Sequence, residues 1–483
     1  MNLSPGLRRY TRIDWTRVAT RYLPFADVAT KDLPLSRLIR LALFQVTVGM
    51  VGVLTVGTLN RVMIVEIGVS AWLVSLMVAL PLLVAPFRAV IGLKSDQHRS
   101  PLGWRRVPFI WMGSGLQFAG LAIMPFAIVL LGGETQIQLV AGHVAAGLAF
   151  LLAGAGAQTV QTAGLALATD LATDETRPRV VALMYVMLLV GMVGCGLLFG
   201  LLLADYTPTR LVQVVQGTAV ATLFVNLVAV WKQEARDRNR VREAPDTTPF
   251  RLRWAQFTAN RRVARFLLAV GLGTAAFNMQ DIILEPYGGE ILGLSVGQTT
   301  LLTGVMAAGA IVAFGLAARL LSRGGDPARV AGAGLVVGLA AFSLVIFAEP
   351  LASPMMFRAG VALIGFGGGL FSVGTLSAAM ALDSGGLHGM VIGAWGGVVA
   401  TAAGVSVALG GALRDGVGHL ASSGVLGEAL QTPAAGYGFV YHLELALLFA
   451  TLIVLGPLVR NRRPSSHTTT EVPQRFGLAD LPG

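Results

Sequence analysis

The stretch NMQDIILEPY sets Asn278, Asp281 and Glu285 at i, i+3 and i+7 within an otherwise apolar run. In a continuous helix that spacing puts all three on one face. Ionisable groups at membrane depth are costly, and they mark functional positions by default. Facing a central cavity, these carboxylates would take up and release protons; near the outer headgroups they would be solvated. A helix that starts near residue 265 carries Asp281 roughly 24 Å along its axis, in the outer third of a bilayer. A second polar group, Asn60, Arg61 and Glu66, closes the first apolar run. The Arg and Glu would form an interfacial ion pair or bridge to a partner, and Asn60 would hydrogen-bond to another helix. Gln117, Gln158 and Gln161 also interrupt apolar runs, and they would either line a cavity or tie helices together.

These residues need elements to position them, and composition says which. The chain is 54% hydrophobic and 13% charged, against about a quarter charged in soluble domains. It reads as an all-α polytopic membrane protein, since in lipid a helix satisfies its own backbone. Runs near 38–64, 71–93, 107–131, 139–167, 179–203 and 211–231 are each long enough to span. Six more follow near 265–284, 297–321, 330–348, 355–381, 388–413 and 437–460. The expected organisation is a basic amphipathic N-terminal segment (1–35), a six-helix bundle (36–231), a linker (232–264), a second six-helix bundle (265–460) and a polar tail (461–483).

Charge sets the orientation. Of the 36 Lys and Arg, 31 fall on the side that holds both termini and the linker, so both termini are expected in the cytoplasm. Basic residues spread over short loops give no nucleic-acid face. The single Cys195 excludes an internal disulfide. The basic, polar start is not a cleavable signal peptide, so the first span is expected to drive insertion. The sequence shows no nucleophile–base constellation, phosphate loop or metal spacing, and the expectation is a protein that is not an enzyme.

Six spans, a basic seam and six spans resemble the major facilitator plan of two parallel repeats. A weak internal repeat agrees: ALATDLATDETRPRVVALMYV after span 4 parallels AMALDSGGLHGMVIGAWGGVV after span 10, each expected to set an Asp just past a helix end. The stretch IGLKSDQHRSPLGWRRVPFIW between spans 2 and 3 carries Gly92 and Asp96 with the Gly-x-x-x-Asp spacing of that superfamily. Arg99, Arg105 and Arg106 would supply partners for Asp96, although a longer insert separates them from it.

The wider sequence is more specific. LFQVTVGMVGVLTVGTLNRVMIVEIGV, LMVALPLLVAPFRAVIG, SDQHRSPLGWRRVPFIW and FAGLAIMPFA run over Leu43–Ala127 almost without gap. They resemble the PucC/LhaA family of purple photosynthetic bacteria, the bacteriochlorophyll-delivery branch of the major facilitator superfamily. The N-terminal LRRYTRIDWTRVATRYLPFADVATKDLP is most like the LhaA branch, associated with the core light-harvesting complex.

The resemblance implies an assembly factor in the bacterial inner (intracytoplasmic) membrane. Its partners would be light-harvesting polypeptides, and bacteriochlorophyll-synthesis enzymes as a further class, with bacteriochlorophyll a as a transient ligand. Chlorophyll magnesium takes a neutral axial ligand, so His143, His442 and His388 become the pigment-binding candidates. The N-terminal segment would anchor on anionic lipid or dock a light-harvesting polypeptide. The competing reading is a proton-coupled secondary transporter of a small solute, with Asp281 or Glu285 as the proton carrier.

Overall fold

A computed structural model describes residues 34–83, 104–173, 176–234, 261–381 and 388–459. The basic N-terminal segment, the linker, the tail and the turn residues Gly92, Asp96 and Arg99 lie outside the described residues. Within the described residues each of the twelve expected spans contains a helix: α1 (Leu35–Glu66), α2 (Ala71–Leu83), α3 (Val107–Leu131), α4 (Gln136–Leu171), α5 (Arg177–Leu202) and α6 (Pro208–Val230), then α7 (Arg261–Glu290), α8 (Val296–Ser322), α9 (Pro327–Ala348), α10 (Pro354–Ala381), α11 (His388–Ser422) and α12 (Ala435–Leu455). Among the described residues, eleven are long and apolar enough to cross a membrane; α2 is the shorter one.

Local sequence explains where the helices start. Thr135 caps α4 and Ser295 caps α8, each through a reciprocal capping box with a Gln three residues on. Thr207 and Asp326 cap α6 and α9, with Pro208 and Pro327 in the first turn, where a missing N–H costs nothing. The outer surface is apolar: Ile137, Leu201, Val312 and Ile453 are all exposed, as lipid-facing residues must be.

The helices pack as two halves, α1–α6 and α7–α12. They join along α2–α11, α5–α8 and the contact of α1 with α8. Gln233 after α6 bonds Arg37 at the start of α1, so these ends share one side. We call this the near end, where α1 begins and α12 finishes, and the opposite side the far end.

Two departures from regular helix matter for function. The second half of α1 widens into π-helical turns at Val53–Leu59 and Val62–Glu66. The expected continuous helix around NMQDIILEPY breaks instead: α7 is α-helical over Arg261–Asn278, tightens to 3-10 over Met279–Ile282 and resumes at Leu284–Glu290. Asn278 thus ends the α-helical part, Asp281 sits in the 3-10 turn and Glu285 lies in the resumed helix. Asn278 folds back onto the Thr274 carbonyl (2.7 Å), whereas Glu285 is 1% exposed. Turns of this kind recur at hinges and functional sites.

A second correction concerns the repeat. Asp170 sits in the last turn of α4 and not beyond it. The helix runs past its apolar stretch because Asp170 receives Arg105 and also the Arg106 Nε at 3.1 Å. Both arginines thus reach Asp170 across helices.

Candidate functional site

Polar side chains inside the bundle gather in two places. In the first half they tie helices together. Asn226 of α6 accepts from the Thr47 hydroxyl of α1 (2.9 Å) and donates to Gln117 of α3 (3.1 Å). Gln161 of α4 donates to Gln45 of α1 at 3.5 Å. Gln117 and Gln161 therefore link helices. Gln158 is half-buried on α4, and its backbone carbonyl accepts from Thr162.

The second gathering lies where α1, α7, α8 and α12 meet. Glu285 of α7 accepts from the Thr303 hydroxyl of α8 at 2.8 Å. Glu444 of α12 is 0% exposed, and its carboxylate meets the Gln280 backbone but no side-chain donor. Asp281 lies within electrostatic reach of both glutamates, at the 3-10 turn of α7. Tyr441, one turn before Glu444, is fully buried with its hydroxyl unpartnered, and its ring meets Tyr287 edge-on at 5.4 Å. The sequence reading missed Glu444, although it is the one acidic residue in the α12 sequence AGYGFVYHLELALLFATLIVL.

On the α1 side, Asn60 Nδ2 donates to the Val56 carbonyl (3.0 Å) and to the Asp281 backbone carbonyl (3.4 Å). Thr58 bonds Thr300 of α8 at 3.1 Å. Arg61 is buried, pairs with Glu66 and donates to the Leu294 carbonyl just past α7 (3.3 Å). The Arg61–Glu66 pair is thus not confined to α1: it holds the first half against the second at the far end. Arg414 of α11 adds a further tie through Glu290 (2.6 Å), Asp415 (2.8 Å) and the Tyr437 hydroxyl (2.9 Å). Asp415 in turn accepts the Trp72 backbone N–H at the start of α2 (2.8 Å), crossing between the halves.

The three candidate histidines lie apart. His143 is half-buried early in α4. His388 is the first residue of α11, and its side chain lies outside the described set. His442 is exposed on α12, two turns from the far end, with Nδ1 2.7 Å from the Gly438 carbonyl. A carbonyl accepts, so Nδ1 is the donor in this contact, and Nε2 is the ring nitrogen not engaged by it. The ring lies on the exposed stripe of α12 with Phe439, Phe449 and Ile453.

Near-end capping is also specific. The Glu234 carboxylate accepts the backbone N–H groups of Arg105 (2.7 Å), Arg106 (3.0 Å) and Val107 (3.0 Å), the open donors at the start of α3.

Comparison with known proteins matches this architecture. Among solved structures, the nucleoside transporter NupG superposes with a TM-score of 0.66 over 88% of this chain and 100% of its own, at 11% identity. That likeness shows the fold, the twelve-helix major facilitator plan. A Rhodobacter capsulatus relative described as an uncharacterized protein in the puhA-bchM intergenic region is 51% identical over 96% of this chain and 98% of its own length. Protein PucC of Rhodovulum sulfidophilum is 52% identical over 85% of this chain and 92% of its own. The Rhodobacter capsulatus bacteriochlorophyll synthase 44.5 kDa chain is 28% identical over 90% and 97%. The family profile described as PUCC protein matches residues 58–463. A multi-pass membrane protein of major facilitator fold, the chain belongs to the PucC family.

Proposed function

We propose that this protein is a non-enzymatic assembly factor for the core light-harvesting complex of a purple photosynthetic bacterium, handling bacteriochlorophyll a together with light-harvesting polypeptides. The carrying observation is the match to the PucC family over most of the chain, with a more distant relative named for bacteriochlorophyll synthesis. The surface adds a chemical reason. An exposed imidazole whose Nδ1 is tied to its own helix leaves Nε2 as the nitrogen that, unprotonated, would serve as axial ligand to a magnesium tetrapyrrole. The other ring nitrogen is already held by a backbone carbonyl, as metal-ligating histidines usually are. His442 offers that nitrogen at a lipid-facing position, where pigment and polypeptide would arrive sideways through the membrane.

The site of action on this reading is the inner (intracytoplasmic) membrane with both termini cytoplasmic, supported by the distribution of Lys and Arg. Light-harvesting polypeptides are the expected partners, with bacteriochlorophyll-synthesis enzymes a second class. The small-solute transporter reading draws on the fold, which it shares with NupG, but the fold alone does not carry a substrate.

The test is purification of the tagged protein in mild detergent from phototrophic membranes. An absorption spectrum and mass spectrometry are taken on the same fraction. Stoichiometric bacteriochlorophyll with light-harvesting polypeptides is the expected result. A colourless protein without these partners overturns the reading.

A further inference from the structure

We propose that Asp281, Glu285 and Glu444 form a proton-binding site whose loading sets how tightly the two halves close where α1 meets α7. The proposal does not depend on what the protein carries.

The first argument is charge balance. Glu285 and Glu444 are 1% and 0% exposed, and Asp281 is their partly exposed neighbour. The basic side chains on the packed elements are engaged elsewhere. Arg61 of α1 pairs with Glu66 and the Leu294 carbonyl, and Arg414 of α11 pairs with Glu290 and Asp415. His442 of α12 is turned outward, and α8 presents the neutral Thr300 and Thr303. A buried carboxylate with no bonded cation costs several kcal/mol, and three near one another repel. Among the described residues no group of three acidic, His or Cys side chains is arranged to hold a metal ion. Protons are the cations left to balance the charge.

Unpartnered polar atoms give a second, independent argument. Gln280 Oε1, the Tyr441 hydroxyl and Glu285 Oε2 are buried without a hydrogen-bond partner, and the Glu444 carboxylate meets only the Gln280 backbone and no side-chain donor. With every carboxyl ionised, this set is rich in acceptors and short of donors. Each bound proton converts a carboxylate oxygen into an O–H donor, which is what the Gln280 acceptor needs. Asp281, which retains accessible surface, is the entry point.

Third, the site lies in a joint. The 3-10 turn of α7 contains Asp281, and it faces the π-helical half of α1 through the Asn60 bond to the Asp281 carbonyl. Glu285 is held to α8 by Thr303, whose hydroxyl crowds Gly57 of α1. Charging the site places repulsion and a demand for water where three elements from both halves meet.

The test uses the full-length protein in lipid nanodiscs. Infrared titration follows the C=O stretch of protonated carboxyls. In parallel, spin labels at Ile137→Cys and Leu351→Cys, exposed far-end positions of the two halves, report their separation in a Cys195→Ser background. In wild type, a protonated-carboxyl band should disappear on alkaline titration, and the label distance should lengthen with the same midpoint. Glu285→Gln and Glu444→Gln should each remove part of the band. The double variant should hold the low-pH distance at every pH. A wild-type distance that ignores pH overturns the proposal without any variant. So does a band or a pH-dependent distance that survives unchanged in the double variant. Neither readout involves pigment, so the result stands apart from that of the purification experiment.

Discussion

Gly196 of α5 and Gly304 of α8 face each other across the two halves so closely that a Cβ on Gly196 would lie 2.9 Å from the Gly304 Cα. One turn away, a Cβ on Gly297 would lie 2.5 Å from the Gly200 carbonyl oxygen. These glycines let the α5 and α8 backbones touch, which in lipid replaces the hydrophobic effect as the source of association. Gly196→Ala should lower stability by about 1–3 kcal/mol through overpacking. Gly304→Ala, whose added Cβ sits 3.4 Å from its nearest neighbour, should cost less. Gly217→Ala, with nothing within 4 Å, should be neutral or slightly stabilising. Thermal unfolding in one detergent ranks the three. Equal effects would mean that the α5–α8 contact does not limit stability.

The Arg61–Glu66 pair is asymmetric, with side chains 5% and 36% exposed. Removing the acid strands a buried guanidinium, whereas removing the base leaves a carboxylate that water can still reach. Glu66→Ala should therefore cost about 2 kcal/mol, discounted from a fully buried pair for its partial exposure. Arg61→Met, which fills the space with an apolar chain, should stay within about 1 kcal/mol. A larger loss for Arg61→Met would place the dominant contribution in the bond to the Leu294 carbonyl.

The sequence makes the architecture legible because lipid imposes a simple rule: an apolar run of sufficient length becomes a helix. The runs at 107–131 and 355–381 have the limits of α3 and α10 to within a residue. Polar positions are harder, because hydropathy says where a residue lies in the membrane but not which helix it meets. Asn278 and Asp281 look equivalent in NMQDIILEPY, yet Asn278 bonds back to the Thr274 carbonyl of its own helix, whereas the carbonyl of Asp281 receives Asn60 of α1. Glu444 is legible as a lone acid in α12, but its nearness to Asp281 of α7 is tertiary. Gly196 and Gly200 lie four apart in GCGLLFGLLLA, a spacing that permits close helix contact, but only the fold shows that the neighbour is α8.

Glu234 accepts three consecutive backbone N–H groups at the start of α3, beyond the reach of local sequence rules since it follows α6. A carboxylate there also meets the positive end of the helix dipole. Glu234→Ala should lower stability by about 1–2 kcal/mol, the usual cost of a lost cap. Glu234→Gln, which keeps an acceptor without the charge, should recover part of it. Hydrogen exchange read by mass spectrometry should show the change at residues 105–107 first. Unchanged protection at those amides would mean that water replaces the carboxylate without loss.

If His442 is the pigment contact, its removal should separate binding from folding. The ring is exposed, and its described hydrogen bond is to its own helix, so His442→Ala should leave the thermal midpoint of the pigment-free protein within a degree or so of wild type. The bacteriochlorophyll-to-protein ratio should fall roughly tenfold, the equivalent of about 1.4 kcal/mol of binding. Imidazole added during purification should restore part of the pigment by supplying the lost nitrogen. His143→Ala serves as the comparison, because that half-buried ring lies on α4, in the other half of the protein. A His442→Ala protein that retains wild-type pigment would move the ligand to another group. A His143→Ala protein that alone loses it would move the pigment site from α12 to α4.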